Sequence, residues 1–302
     1  MSSLMALSQN LGDIVEQVGT TVVSIDSHTR MSTSGIHWRS GIIVTSDENL
    51  GRSEDIIVTL PDGSTVSANI LGRDPSTDVA VLNLQNVELP VAKIGDATSL
   101  KVGHLVVAIA RGNDGNLMAA MGAVSVIRGA WRSMSGGNID QFIRPDITLY
   151  PGFFGSPLVD AAGSVVGMNT SGRRGTALTI PAATINRVLD QLLAKGRITR
   201  GYLGVGMQPV RLPKNLKAAL NLTSATGVIV VNVEANGPAE NAGVLLGDVL
   251  VSLDDVPVSD TGDVLALLNS GDRVGKTVKA QVVRGGALVE LAIAVGERPT
   301  KE

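Results

Sequence analysis

Cysteine is absent from the 302 residues, which excludes disulfides and thiolate metal sites and leaves the redox compartment undetermined. Aromatic residues are scarce, with two Trp, two Tyr and three Phe, so packing falls to Val, Ile, Ala and Gly, as suits a β-rich chain. No apolar run approaches the length of a membrane span. Neither sign of charge is in excess: the net charge is −3 with acids and bases interspersed, which gives no electrostatic reason to expect nucleic acid or an anionic membrane as partner. The three histidines, His28, His37 and His104, show no ligand spacing, so neither a metal nor a cofactor is expected. The stretch Met1 to Leu7 lacks a basic segment followed by an apolar one, so no secretory signal is read there.

What is present fits two domains, each able to bury a core. Leu4, Leu7, Leu11, Ile14, Val15 and Val18 recur at helical spacing and predict one amphipathic helix capping the first domain. Short β-branched runs follow: Thr20 to Asp26, Gly41 to Thr45, Asp55 to Leu60, Thr65 to Leu71, Val79 to Leu84, Leu105 to Ala110 and Gly122 to Arg128. Turn signals separate them at intervals of roughly ten residues, which argues for closed barrels or a sandwich. Trp131 to Asn138 reads as a Ser/Gly-rich surface loop, and Gly175 to Ile180 as a last strand. Pro181 then opens a helix with Ile185, Val188, Leu189, Leu192 and Leu193 on its apolar face, ending near Gly196. A basic connector, Arg197 to Arg200, marks the boundary between domains spanning 1–199 and 200–298. The second is β-rich with helical patterns at Lys214 to Leu220 and Asp263 to Leu268, and Arg284-Gly285-Gly286-Ala287 reads as a hairpin turn.

Between the last strands of the first domain lies Gly152-Phe153-Phe154-Gly155-Ser156-Pro157-Leu158. It resembles the Gly-Asn-Ser-Gly-Gly-Pro-Leu loop of trypsin-like serine proteases, where a sharp turn presents the nucleophile and aims two amides at the oxyanion. Phe154 then stands at the serine position, and Gly152 supplies an anion-hole amide. Three further stretches resemble the HtrA (Deg) family of trypsin-like proteases carrying a C-terminal PDZ domain. Asp74-Pro75-Ser76-Thr77-Asp78-Val79 is similar to the segment with the catalytic aspartate, implying that role for Asp78. Leu178-Thr179-Ile180-Pro181 is similar to the strand that closes the substrate cleft, and Arg200-Gly201-Tyr202-Leu203-Gly204-Val205 to the start of the PDZ domain. The resemblance implies a mostly β fold, a chymotrypsin-like double barrel followed by a PDZ domain.

The departures from the family pattern bear on function. Val44-Thr45-Ser46-Asp47-Glu48 puts Glu48 where the family has its histidine, and no histidine lies between His37 and His104. Acyl transfer needs a hydroxyl or thiol, a base to take its proton and a group to orient that base; only the third, Asp78, remains. Ser156 stands two positions beyond the nucleophile, on another arm of the turn. Glu48 and Asp78 together fall short of the ligand count that calcium needs.

The sequence therefore predicts a pseudoprotease that binds peptides or protein C-termini as adaptor, scaffold or chaperone, the alternative being an endopeptidase with an unorthodox triad. The peptide would add to the strand after Gly204, its carboxylate held by the Tyr202-Leu203-Gly204-Val205 loop and its last side chain by Leu203, Val205, Met207, Val264, Leu267 and Leu268. The resemblance also implies the periplasm or cell envelope, and a trimer built through N-terminal aromatics, of which this chain has none before Trp38.

Overall fold

The computed structural model describes residues 3–27, 32–51, 56–85, 87–172, 175–269 and 273–298. Asp55 and His28 lie outside them. Helix α1 (Ser3–Gly19) leads into a closed barrel of β1 (Val22–Asp26), β2 (Thr33–Arg39), β3 (Ile42–Thr45), β4 (Ile56–Thr59), β5 (Thr65–Asp74) and β6 (Val79–Leu84). The strands pair antiparallel in the order β1-β2-β3-β6-β5-β4, and β1 closes on β4. Their β-branched and leucine side chains explain the closure: Val23, Ile25, Ile43, Val58 and Leu82 fill the interior with no exposed surface. Each contributes about 1.5–3 kcal/mol of transfer free energy.

The second barrel contains β7 (Leu105–Arg111) and β8 (Leu117–Arg128), then a short ribbon of β9 (Trp131–Arg132) and β10 (Asn138–Ile139) outside it. It closes with β11 (Phe142–Pro145), β12 (Pro157–Asp160), β13 (Val165–Ser171) and β14 (Ala177–Pro181), in the order β11-β14-β13-β12-β7-β8. Helix α2 (Ala182–Lys195) ends this unit. Gly196 terminates it in the left-handed region at φ 68°, returning its N–H to Leu192. Ile185, Val188, Leu189 and Leu192 face the core, whereas Leu193 is exposed and leaves the expected apolar face.

The chain divides into two compact units between Ile198 and Thr199. The second unit holds β15 (Gly201–Tyr202), β16 (Val205–Arg211), α3 (Lys214–Ala219), β17 (Thr226–Val233), α4 (Pro238–Asn241), β18 (Val249–Leu253) and β19 (Val256–Pro257). It continues with α5 (Thr261–Asn269), β20 (Thr277–Arg284), β21 (Ala287–Ala294) and β22 (Gly296–Glu297). The main sheet runs β16-β17-β18-β20-β21, so β16 is an edge. The Arg284 to Ala287 turn is the expected hairpin, with Gly285 and Gly286 at φ 57° and 86° as a two-residue primed turn requires.

Three sequence expectations change. Only the second half of α1 packs: Leu11, Ile14, Val15 and Val18 meet the core while Leu4 and Leu7 stay exposed. Residues 131–138 are not purely a surface loop, because Trp131 turns inward against the core, edge-on to Phe142 at 5.4 Å, and pulls β9 into register with β10. The whole of β2 was unexpected. Its polar and glycine-containing sequence hides a strand that is buried from Thr33 to Trp38.

Candidate functional site

The end of β3 and the connection into β6 bring Glu48 and Asp78 together. The Glu48 amide donates to Asp78 Oδ1 at 2.7 Å, and the Asp47 amide to the Asp78 carbonyl at 3.3 Å. The other carboxylate oxygen, Oδ2, accepts from the Ser46 hydroxyl at 2.8 Å and from the Thr170 hydroxyl on β13 of the second barrel. Burial pushes the Asp78 carboxyl up to about 6, against those three hydrogen bonds, and the Glu48 charge adds to the rise. Glu48 itself is exposed and accepts from Ser171 at 3.0 Å. Its loop is held by Arg73, which pairs with Asp47 and donates to the carbonyls of Asp47, Leu50 and Gly51.

Across the cleft, Tyr150-Pro151-Gly152-Phe153 forms a turn closed by the Phe153 amide on the Tyr150 carbonyl at 3.0 Å. Proline second and a glycine at φ 93° third define type II geometry, which only glycine adopts without strain. Among the described residues, no acceptor takes the N–H of Gly152 or of Phe154. The first barrel fixes this loop: Ser34 Oγ donates to the Gly152 carbonyl at 2.7 Å, and the Ser34 amide and Thr33 hydroxyl both reach the Phe154 carbonyl. Gly155, at φ 78°, passes so close that a Cβ would lie 2.2 Å from the Ser34 carbonyl oxygen. Gly155→Ala should therefore lower unit 1 stability by about 3 kcal/mol, combining left-handed strain with overpacking. Urea unfolding followed by tryptophan fluorescence checks this, since both tryptophans, Trp38 and Trp131, belong to that unit.

Side chains on the loop diverge. Phe153 is buried with Ala108, Ala110 and Met118, and Phe154 is half-buried. Ser156 has no exposed surface and its hydroxyl accepts from Asn169. His37 is also buried, with Nε2 accepting from the Gly41 amide and Nδ1 facing the Pro90 carbonyl, whereas His104 is an exposed loop residue. Thr33, Ser34, Thr170 and Arg73 were not legible as site residues in the sequence, because their partners lie on distant strands.

In the second unit a cavity of about 230 Å³ opens between the Tyr202–Val205 stretch and α5. Leu203, Val205, Met207 and Leu268 line it, together with Tyr202 and Gly204. Val264 is instead fully buried in the core, and Leu267 packs against that core off the cavity, because the helix turns Thr261 and Leu265 toward the opening. Arg200 and Arg298 complete the lining. Gly204 adopts φ 75°, and neither its N–H nor that of Leu203 has an acceptor among the described residues.

Comparison with known proteins matches residues 33–168 to the trypsin-like peptidase domain and residues 201–295 to the PDZ domain. A probable periplasmic serine endoprotease, DegP-like, from Pseudomonas fulva (strain 12-X) is 34% identical over 272 residues, covering 87% of this chain and 55% of that protein. The protein of the same name from Chlamydia pneumoniae is 33% identical over 272 residues, covering 87% and 54%. The chain thus spans about half the length of these relatives. A solved structure of the HtrA-type protease AlgW with a decapeptide superposes with a TM-score of 0.80 at 26% identity, over 96% of this chain and 99% of that one.

Proposed function

Because the chain belongs to the HtrA (Deg) family, with a trypsin-like peptidase domain followed by a PDZ domain, we propose that it is a member without peptidase chemistry that binds peptide or protein C-termini as an adaptor, scaffold or chaperone. One observation carries this reading: the backbone frame of the cleft is intact while its reactive positions hold Phe154 and Glu48. A phenyl ring offers no nucleophilic atom. Asp78 keeps the place of an orienting carboxylate, but the residue whose amide it holds, Glu48, carries a carboxylate rather than an imidazole.

Binding falls to the second unit. β16 leaves one edge unpaired, and the amides of Leu203 and Gly204, without an acceptor among the described residues, are the donors that a terminal carboxylate would take. A fluorescence polarisation screen of C-terminal peptides should return micromolar binders with apolar last residues. Equal affinity for their amidated forms would remove the carboxylate mechanism.

A second reading, an endopeptidase with an unorthodox triad, is favoured by the names of the relatives, which are serine endoproteases, and by the type II turn with its two free amides. Covalent labelling by a fluorophosphonate separates the two, since only an activated serine reacts.

A further inference from the structure

Two arginines line the cavity of the second unit, and they come from opposite ends of its sequence. Arg200 precedes β15, and Arg298 follows β22. The two strands pair through Gly201 with Glu297 and Tyr202 with Gly296, and the Arg298 amide then donates to the Arg200 carbonyl at 3.0 Å. That register sets Arg298 opposite Arg200, on the rim of the same cavity that Leu203 and Gly204 line with their unpartnered amides.

Arg298 is exposed and makes no ion pair with a described acid. Its charge is felt at Tyr202, where it opposes the rise that the Glu234 contact imposes on the hydroxyl. Glu234 accepts from that hydroxyl. Among the described residues the guanidinium has no hydrogen-bond or ion-pair partner, and only the Arg298 backbone takes part in the strand pairing. Amides alone give a carboxylate hydrogen bonds but no full opposite charge, and a charged donor makes such contacts stronger.

We propose that Arg298 is the counter-charge for the terminal carboxylate of a bound peptide, and so a specificity-determining residue that discriminates free acids from capped or internal segments. This rests on the reading of the cavity as a C-terminal peptide site. The interaction is a rim contact, open to solvent, so it is salt-sensitive and of moderate size.

The test uses the full chain, the tightest free-acid peptide from the polarisation screen, and its amidated form. Arg298→Gln should weaken the free acid by about 5–20-fold at about 20 mM salt, and by less than about 2-fold at about 500 mM, where the Debye length has shrunk from about 20 Å to about 4 Å. Arg298→Lys should stay within about 2-fold of the unmodified chain, because it keeps the charge. Weak binding of the amide should not change with Arg298→Gln. An equal loss for acid and amide, or a loss of the same size at both salt concentrations, would assign Arg298 a structural duty and overturn the proposal. Unaltered free-acid binding by Arg298→Gln would overturn it too while leaving the peptide site standing. If no free-acid peptide binds the unmodified chain, the site reading fails and takes this proposal with it.

Discussion

Unmodified chain, purified from a protease-deficient host, should leave unfolded casein intact, and Phe154→Ser alone should do no better. Triad members act as a unit: a serine without a base keeps its proton and stays weak. Glu48→His alone should be equally inert, since it supplies a base with nothing to activate. The double variant is the informative one. Its new imidazole would rise from a backbone already hydrogen-bonded to Asp78, and its new hydroxyl from a turn whose Gly152 and Phe154 amides have no acceptor among the described residues. The side chains that most threatened this repair are Phe153 and Ser156, and both point into the core rather than the cleft. Casein turnover by the double variant should exceed either single variant by at least about 100-fold, well within the range that triad removal costs in serine proteases. Casein cleavage by the unmodified chain that vanishes on Asp78→Ala would sink the non-catalytic reading.

Asp78→Asn should make the first unit more stable at neutral pH. Held at about 6 instead of the ordinary 3.8, the buried carboxyl keeps a proton in the folded state that the unfolded chain has already lost. Its contribution is therefore most favourable below about pH 4 and declines as pH rises through about 6, reaching a cost of about 3 kcal/mol. An amide has no such cost and can still accept from the Glu48 N–H, while the Ser46 and Thr170 hydroxyls rotate to accept from its NH₂. Chemical denaturation at pH 4.5 and 7.5, read by tryptophan fluorescence, should give a variant stabilised by about 1–3 kcal/mol at the higher pH and by little at the lower one. A variant less stable at both would mean that the hydrogen bonds outweigh the desolvation. The two experiments are coupled, since Glu48→His removes the negative charge that helps to raise Asp78.

How far the sequence could be read depended on where each residue finds its partner. Most strands of both barrels announce themselves through β-branched runs between turns, and the cleft loop through its glycines, whose φ values at Gly152 and Gly155 no other residue adopts cheaply. β2 could not be read this way. Gly35 is there because a Cβ would sit 2.5 Å from Ile43 Cγ2, and Thr33 and Ser34 are polar because they hold the loop of the other barrel. Both facts depend on residues far away in the chain. In the second unit the helix position was legible but its facing was not: periodicity picks a face, and only the docking of α5 shows that Leu265 lines the cavity while Val264 fills the core.

The open edge of β16 also sets a ruler. Pro209 lies four residues into the strand and is paired on its other side with Val228. Proline is tolerated in a sheet where its missing N–H faces the unpaired side, so an incoming chain zipping along from Val205 loses its ladder there. The domain should therefore read only the last four or so residues of a partner, whatever precedes them, and segments that could pair along a longer edge meet a strand that stops answering.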